Sequence, residues 1–135
     1  MQKLIDSIKE NEGYRSRVYK CSEGFDTIGY GFAIKDLELS EDICEEILKR
    51  KLEELINGIE NRFDWYKDMP DEIKFVVIEM CYQLGITGVS KFKKTISLLR
   101  EKQWGQASVE MLDSRWAKQT PNRANKLSQI VKGYK

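Results

Sequence analysis

The chain of 135 residues has no histidine, only two prolines, and three cysteines spread out at positions 21, 44 and 81. Without an imidazole, a Ser-His-Asp or Cys-His nucleophile system is excluded, because the hydroxyl or thiol would have no base to take its proton. Without histidine or a CxxC pair there is no zinc framework, and neither a metal nor a cofactor is expected. An odd number of distant cysteines reads as free thiols. No apolar run approaches the ~20 residues of a membrane span, so no stable membrane association is expected. Met1 is followed by Gln2, Lys3 and an amphipathic pattern instead of a secretory leader. Synthesis in a cytoplasm is therefore expected, with another exit route to any outside target. At this length one domain, of one lobe or two, can bury a core without covalent staples.

Charge is plentiful and unevenly placed. The formal net charge is +1, yet residues 91–135 carry 11 basic and 3 acidic side chains, a net of +8, against −7 for residues 1–90. A basic final third suits a polyanionic partner: nucleic acid, anionic lipid or cell-wall glycan. Solubility alone is the plainer reading.

Leu4, Ile5 and Ile8 recur at helical spacing and predict a helix over 3–11, ended by Gly13. Glu12 then stands at a carboxyl-terminal helix end. There the macrodipole opposes a carboxylate and favours holding a proton, which suits a general acid. A surface glutamate in a helix-to-loop transition is the commoner role. Residues 15–20 and 25–28 flank Ser22-Glu23-Gly24, which predicts a hairpin that brings Cys21 and Thr27 close. Gly29-Tyr30-Gly31 thins the strand and admits close approach of a backbone or ligand. Residues 32–39 read as a short third strand and loop.

Ser40 caps a helix running to about residue 60, with Ile43, Ile47, Leu48, Leu52, Leu55, Ile56 and Ile59 in one apolar stripe. Cys44 on it reads as packing. The aromatics of 61–68 are expected to tuck inward, with Asp68 capping the next helix. Residues 73–84 are apolar nearly all round and predict a buried central helix that Gly85 ends, with a loop over 87–90. Further helices are expected around Phe92, Ile96, Leu98 and Leu99, over 105–112, and from Pro121 behind a Thr120 cap. Trp104 and Trp116 are candidate core anchors.

The pattern is α+β: a small N-terminal β-hairpin sheet lobe joined by a long helix to a helical C-terminal lobe. One domain of residues 1–135 is expected, with 13–60 as the β-containing lobe plus linking helix and 1–12 with 61–135 as the helical lobe. A cleft between sheet and helices is the natural ligand site. Splitting a glycosidic bond needs a protonated carboxyl at the leaving oxygen and a second group on the opposite face of the sugar. Glu12 qualifies as the first. Cys21, Glu23 and Asp26 compete to be the second, and residue chemistry alone does not rank them.

The stretch NEGYRSRVYKCSEGFDTIGYG at residues 11–31 resembles the active-site segment of the phage-type lysozymes, the T-even endolysin family (glycoside hydrolase family 24). The family signature is Glu, eight residues, Asp or Cys, five residues, Thr, and Glu12, Cys21 and Thr27 fit it without a gap. Ser114-Arg115-Trp116 and Gln119-Thr120-Pro121-Asn122-Arg123-Ala124 resemble the family's C-terminal motif, with Gln83 to Gly88, Phe92 and Trp104 in register between them. The resemblance implies a lysozyme-like fold and a muramidase that cuts the β-1,4 bond between N-acetylmuramic acid and N-acetylglucosamine. It implies Glu12 as general acid, Cys21 assisting the attacking water in place of the usual Asp, and Thr27 holding that water or the sugar. It implies Arg123 as partner of the acid, Arg115 and Gln119 as polar neighbours, and Ala33, Tyr82, Thr95 and Glu110 as substrate contacts. Phe32 stands where relatives carry His, Glu110 and Ala33 differ from common choices, and the segment after Phe32 is shorter.

The resulting expectation is a monomeric endolysin whose partner is anionic peptidoglycan. It would be bacteriolytic, act at the cell wall or periplasm after holin-mediated release, and bind no nucleic acid. A non-catalytic wall-binding module on the same fold, and a lytic transglycosylase, are the alternatives.

Overall fold

The computed structural model describes all residues, 1–135. Its architecture is lysozyme-like α+β: seven α-helices and one antiparallel sheet of three short strands in the order β1-β2-β3. Contacts divide the chain into two compact units, Met1–Glu45 and Glu46–Lys135, with the boundary inside the longest helix.

In the first unit, α1 (Gln2–Glu12) ends where Gly13 takes φ 70° and its N–H bonds back to Lys9. β1 (Arg15–Lys20), β2 (Asp26–Gly29) and β3 (Phe32–Ala33) follow. Lys20 pairs with Asp26 across the hairpin, Tyr19 with Thr27, and Thr27 in turn with Ala33 on β3. The turn closes as the N–H of Gly24 bonds the Cys21 carbonyl at 2.9 Å. Thr27 is the one buried residue of this unit. Aromatic and cation-π contacts do the joining that a core does elsewhere. Tyr30 sits 5.5 Å from the Tyr14 ring and 6.4 Å from Phe32, and Lys9 lies 5.4 Å over it from α1. Of these contacts, that of Lys9 joins α1 to the β2–β3 turn.

α2 (Glu41–Arg62) starts as expected, with the Ser40 hydroxyl accepting the N–H of Ile43 at 3.3 Å. Its stripe has the predicted period, but burial is graded. Ile43, Ile47 and Leu48 are exposed, Leu52, Leu55 and Ile56 are half-buried, and Ile59 is fully buried. Cys44 is exposed and packs nothing, contrary to its expected role.

The second unit holds the core. Phe63, Trp65 and Tyr66 tuck in as expected. Asp68 does not cap the following helix: it ends a 3₁₀ turn, and Pro70, extended at ψ 155°, precedes α3 (Asp71–Ser90). Gly85, at φ 80° and ψ 158°, ends the first helical stretch of α3 as expected. Helical structure then resumes through residues 86–90, where a loop was expected, with Val89 buried. By length and composition α3 would suffice to cross a membrane. Its break, and the burial of Ile73, Val76, Val77, Met80 and Cys81, make it the central helix of a packed core. Phe75 and Tyr82 on its other side are exposed.

α4 (Lys93–Arg100), α5 (Trp104–Leu112), α6 (Arg115–Gln119) and α7 (Pro121–Gly133) complete the unit. α5 and α7 share the most extensive helix contact. Fully buried Ala107 and Met111 on one, and Ala124, Leu127 and Val131 on the other, follow the i, i+3/i+4 rule for a core-facing stripe. Trp116 is buried as expected, whereas Trp104 is half-buried against the edge of Tyr134. Thr120 precedes α7 but does not cap it, because its hydroxyl is committed to the Trp116 carbonyl at 3.0 Å.

Candidate active site

Glu12 is the last residue of α1 and is exposed. Its carboxyl lies directly over Gly31, in the turn between β2 and β3. Helix end and sheet turn thus meet at the candidate acid.

Cys21 and Thr27 are brought together as the hairpin predicts. Cys21 follows the last residue of β1, half-buried, with its own N–H bonded to the Phe25 carbonyl at 2.9 Å. Its thiol is held below the ordinary range, chiefly by hydrogen bonding from the Phe25 backbone and then from that of Glu23, with help from the Thr27 hydroxyl. Desolvation and the Glu23 carboxylate oppose the shift without reversing it. Backbone N–H groups aimed at one atom favour whatever anion sits there. Thr27 Oγ1 has one proton, and it goes to the Phe25 carbonyl at 2.9 Å. Turning that proton to sulphur is favoured more by a thiolate than by a thiol, whose sulphur is a weak acceptor. Ala33, half-buried, faces Thr27 across the β2–β3 ladder.

The two rival carboxylates are placed differently. Asp26 forms a 2.7 Å ion pair with Lys20 at the exposed end of the hairpin. Glu23 sits in the turn and acts on Cys21 as a like charge to the thiolate.

The other predicted residues belong to the helical unit. Thr95, Glu110, Arg115 and Gln119 line one open cavity of about 580 Å³, floored by Leu84, Phe92 and Trp116. Lys94 reaches Glu110 at 3.7 Å on its wall. Tyr82 and Arg123 do not line it. The ion pair that Arg123 makes is with Glu79 of α3, at 3.6 Å. Tyr82 is exposed on α3.

Sequence reasoning missed two features of this unit. Lys91, Lys93 and Lys94 crowd the cavity rim, and the signal was the basic run interrupted by Phe92. Gln83 is the second. Its amide oxygen accepts the Trp116 indole N–H at 2.9 Å, and its amide nitrogen lies 3.5 Å from the Thr120 hydroxyl. One side chain therefore ties α3 to α6 and to the start of α7. The Ser114 hydroxyl caps α6 by accepting the N–H of Ala117 at 3.1 Å.

Comparison with known proteins identifies the family. The family model for phage lysozyme matches residues 9–132. "Probable T4-type lysozyme 2" of Dictyostelium discoideum is 30% identical over 94% of this chain and 92% of its own length. "Probable T4-type lysozyme 1" of the same organism is 31% identical over 95% and 92%. "Pre-baseplate central spike protein Gp5" of Enterobacteria phage T4 is 26% identical over 95% of this chain but only 27% of its own length. With a family match across nearly the whole chain, and relatives covered almost end to end, the chain belongs to the phage lysozyme family and is a lysozyme-type glycoside hydrolase.

Proposed function

We propose that the chain hydrolyses the β-1,4 bond between N-acetylmuramic acid and N-acetylglucosamine in bacterial peptidoglycan. What carries this reading is the family match over residues 9–132, with Glu12, Cys21 and Thr27 together in one compact unit. Glu12 gives a proton to the leaving oxygen as the C1–O bond breaks. Water attacks C1, and its proton passes to the Cys21 thiolate, leaving a carboxylate and a thiol. Solvent exchange restores both groups. Thr27 holds the water or the sugar beside the sulphur. This division of labour matches two-group glycoside hydrolysis, with a thiolate in the second role.

The cavity of the helical unit walled by Thr95, Glu110, Arg115 and Gln119 is the proposed glycan-binding cavity, and its lysines suit an anionic wall polymer. Tyr82, Ala33 and Arg123 complete the proposed substrate contacts. The protein acts as a monomer without a cofactor, at the cell wall, in lysis of a bacterial host.

The decisive experiment is product analysis on purified murein. Wild type releases new reducing ends and no anhydro-muramic ends, which would mark a lytic transglycosylase instead. Glu12→Gln abolishes that release while its circular dichroism spectrum stays native. Retained activity in Glu12→Gln removes Glu12 from the acid role. Co-sedimentation with murein and no new ends from wild type points to a binding module.

A further inference from the structure

We propose that Gly31 is a positioning residue for the acid: the space left by its missing side chain is where the Glu12 carboxyl sits. The proposal rests on the reading of Glu12 as general acid. A Cβ on residue 31 would overlap Glu12 Oε2 outright and would stand 3.0 Å from Cδ and 3.5 Å from Cγ. The whole end of the acid side chain therefore lies across the glycine.

Positive φ alone does not account for this. Gly24, at φ +87°, and Gly85, at φ +80°, are left-handed too, and a Cβ on either would have nothing within 4 Å. They answer a backbone demand. Gly29, at φ +72°, makes room for the Phe32 ring, whose nearest atoms would stand 2.8 Å from a Cβ. Gly31, at φ +77°, is the glycine whose vacant position is filled by a candidate catalytic group.

The neighbours leave the backbone little freedom to yield. Tyr30, next in the chain, is held by Tyr14 at 5.5 Å and by Lys9 of α1 at 5.4 Å. A methyl group at residue 31 is relieved most cheaply by swinging the exposed Glu12 side chain away. The fold loses little by this, and the acid loses its place. Displacing a reacting group by about 1 Å can cost a hundredfold in rate.

The test compares Gly31→Ala with wild type and with Gly85→Ala, which introduces similar backbone strain without a contact. Expected for Gly31→Ala are a kcat on soluble murein fragments lowered by about a hundredfold, an unchanged KM, and a urea midpoint no lower than that of Gly85→Ala. The ¹³C carboxyl resonance of Glu12 moves in Gly31→Ala and stays in Gly85→Ala. Gly31→Asn, which keeps a Cβ in a residue tolerant of positive φ, is the second variant should alanine not fold. Near-wild-type kcat in the folded variant overturns the proposal. So does a loss of kcat with the Glu12 resonance unmoved, since Gly31 would then act through the backbone alone. An active Glu12→Gln overturns the acid assignment itself, and with it the positioning role of Gly31. An inactive Glu12→Gln beside a fully active Gly31→Ala overturns only the latter.

Discussion

Replacing Cys21 by aspartate separates a working thiolate from a bystander. If the thiolate takes the proton of the attacking water, activity rises with pH as Cys21 ionises. A thiol of ordinary pKa ~8.5 is ionised in roughly 0.3% of molecules at pH 6, and a carboxyl of ~3.9 in roughly 99%. Hydrogen bonds from the Phe25 and Glu23 backbone lower the Cys21 value, so its rising limb lies below the ordinary thiol range. The same donors accept a carboxylate. Cys21→Asp therefore retains activity and moves the rising limb down into the carboxylate range, a displacement of several pH units. A carboxylate is the weaker base, which offsets part of its larger ionised population at pH 6. The shape of the profile is thus more telling than the rate at one pH. Cys21→Ala has no such limb and loses most activity. The assay is reducing-end release from purified murein between pH 4.5 and 9 at constant ionic strength, because the basic final third makes substrate binding salt-sensitive. Identical rising limbs in wild type and Cys21→Asp refute the thiolate as base. An alanine variant as active as wild type reduces Cys21 to a packing residue.

Two further outcomes follow from other parts of the molecule. Under native conditions a thiol reagent labels exposed Cys44 and half-buried Cys21 but not Cys81, which is buried with its pKa pushed up to about 12 by desolvation. Labelling at Cys21 abolishes murein hydrolysis, labelling at Cys44 does not, and mass spectrometry of peptides assigns each site. Gln83→Leu leaves the buried Trp116 indole N–H without its acceptor, which costs about 1–3 kcal/mol. A urea titration reads this as a lowered midpoint at unchanged slope.

The order of elements was legible because their boundaries carry local chemistry. Ser40, Gly13 and Ser22-Glu23-Gly24 act over a few residues, so they read the same in sequence and structure. What misled was local chemistry overruled by packing. Residues 87–90 look like a loop, yet Val89 is buried in the core and helical structure resumes beyond the break at Gly85. Thr120 looks like a cap, but its hydroxyl has a better-placed acceptor in Trp116. The apolar stripe of α2 has a clear period, but period does not say how much of it is covered. In the site, the hairpin register predicted the meeting of Cys21 and Thr27. No local signal tied Gly31 to Glu12, because that contact joins a helix end to a turn nineteen residues later.

The two compact units secure their functional groups by different means, and this bears on which substitutions each tolerates. In the first unit the hairpin backbone around Cys21 favours its anion, and a glycine backbone makes room for Glu12. Neither device reads the identity of the side chain it holds beyond its charge and reach. A thiolate and a carboxylate are therefore both expected to be accepted at residue 21. In the helical unit the cavity wall is made of side chains, and its ion pair between Lys94 and Glu110 depends on both partners. Exchange of Glu110 there would change the charge that a substrate meets while leaving the chemistry at Glu12 and Cys21 untouched. Substrate preference is therefore expected to vary with the helical unit, and the reaction to stay with the hairpin.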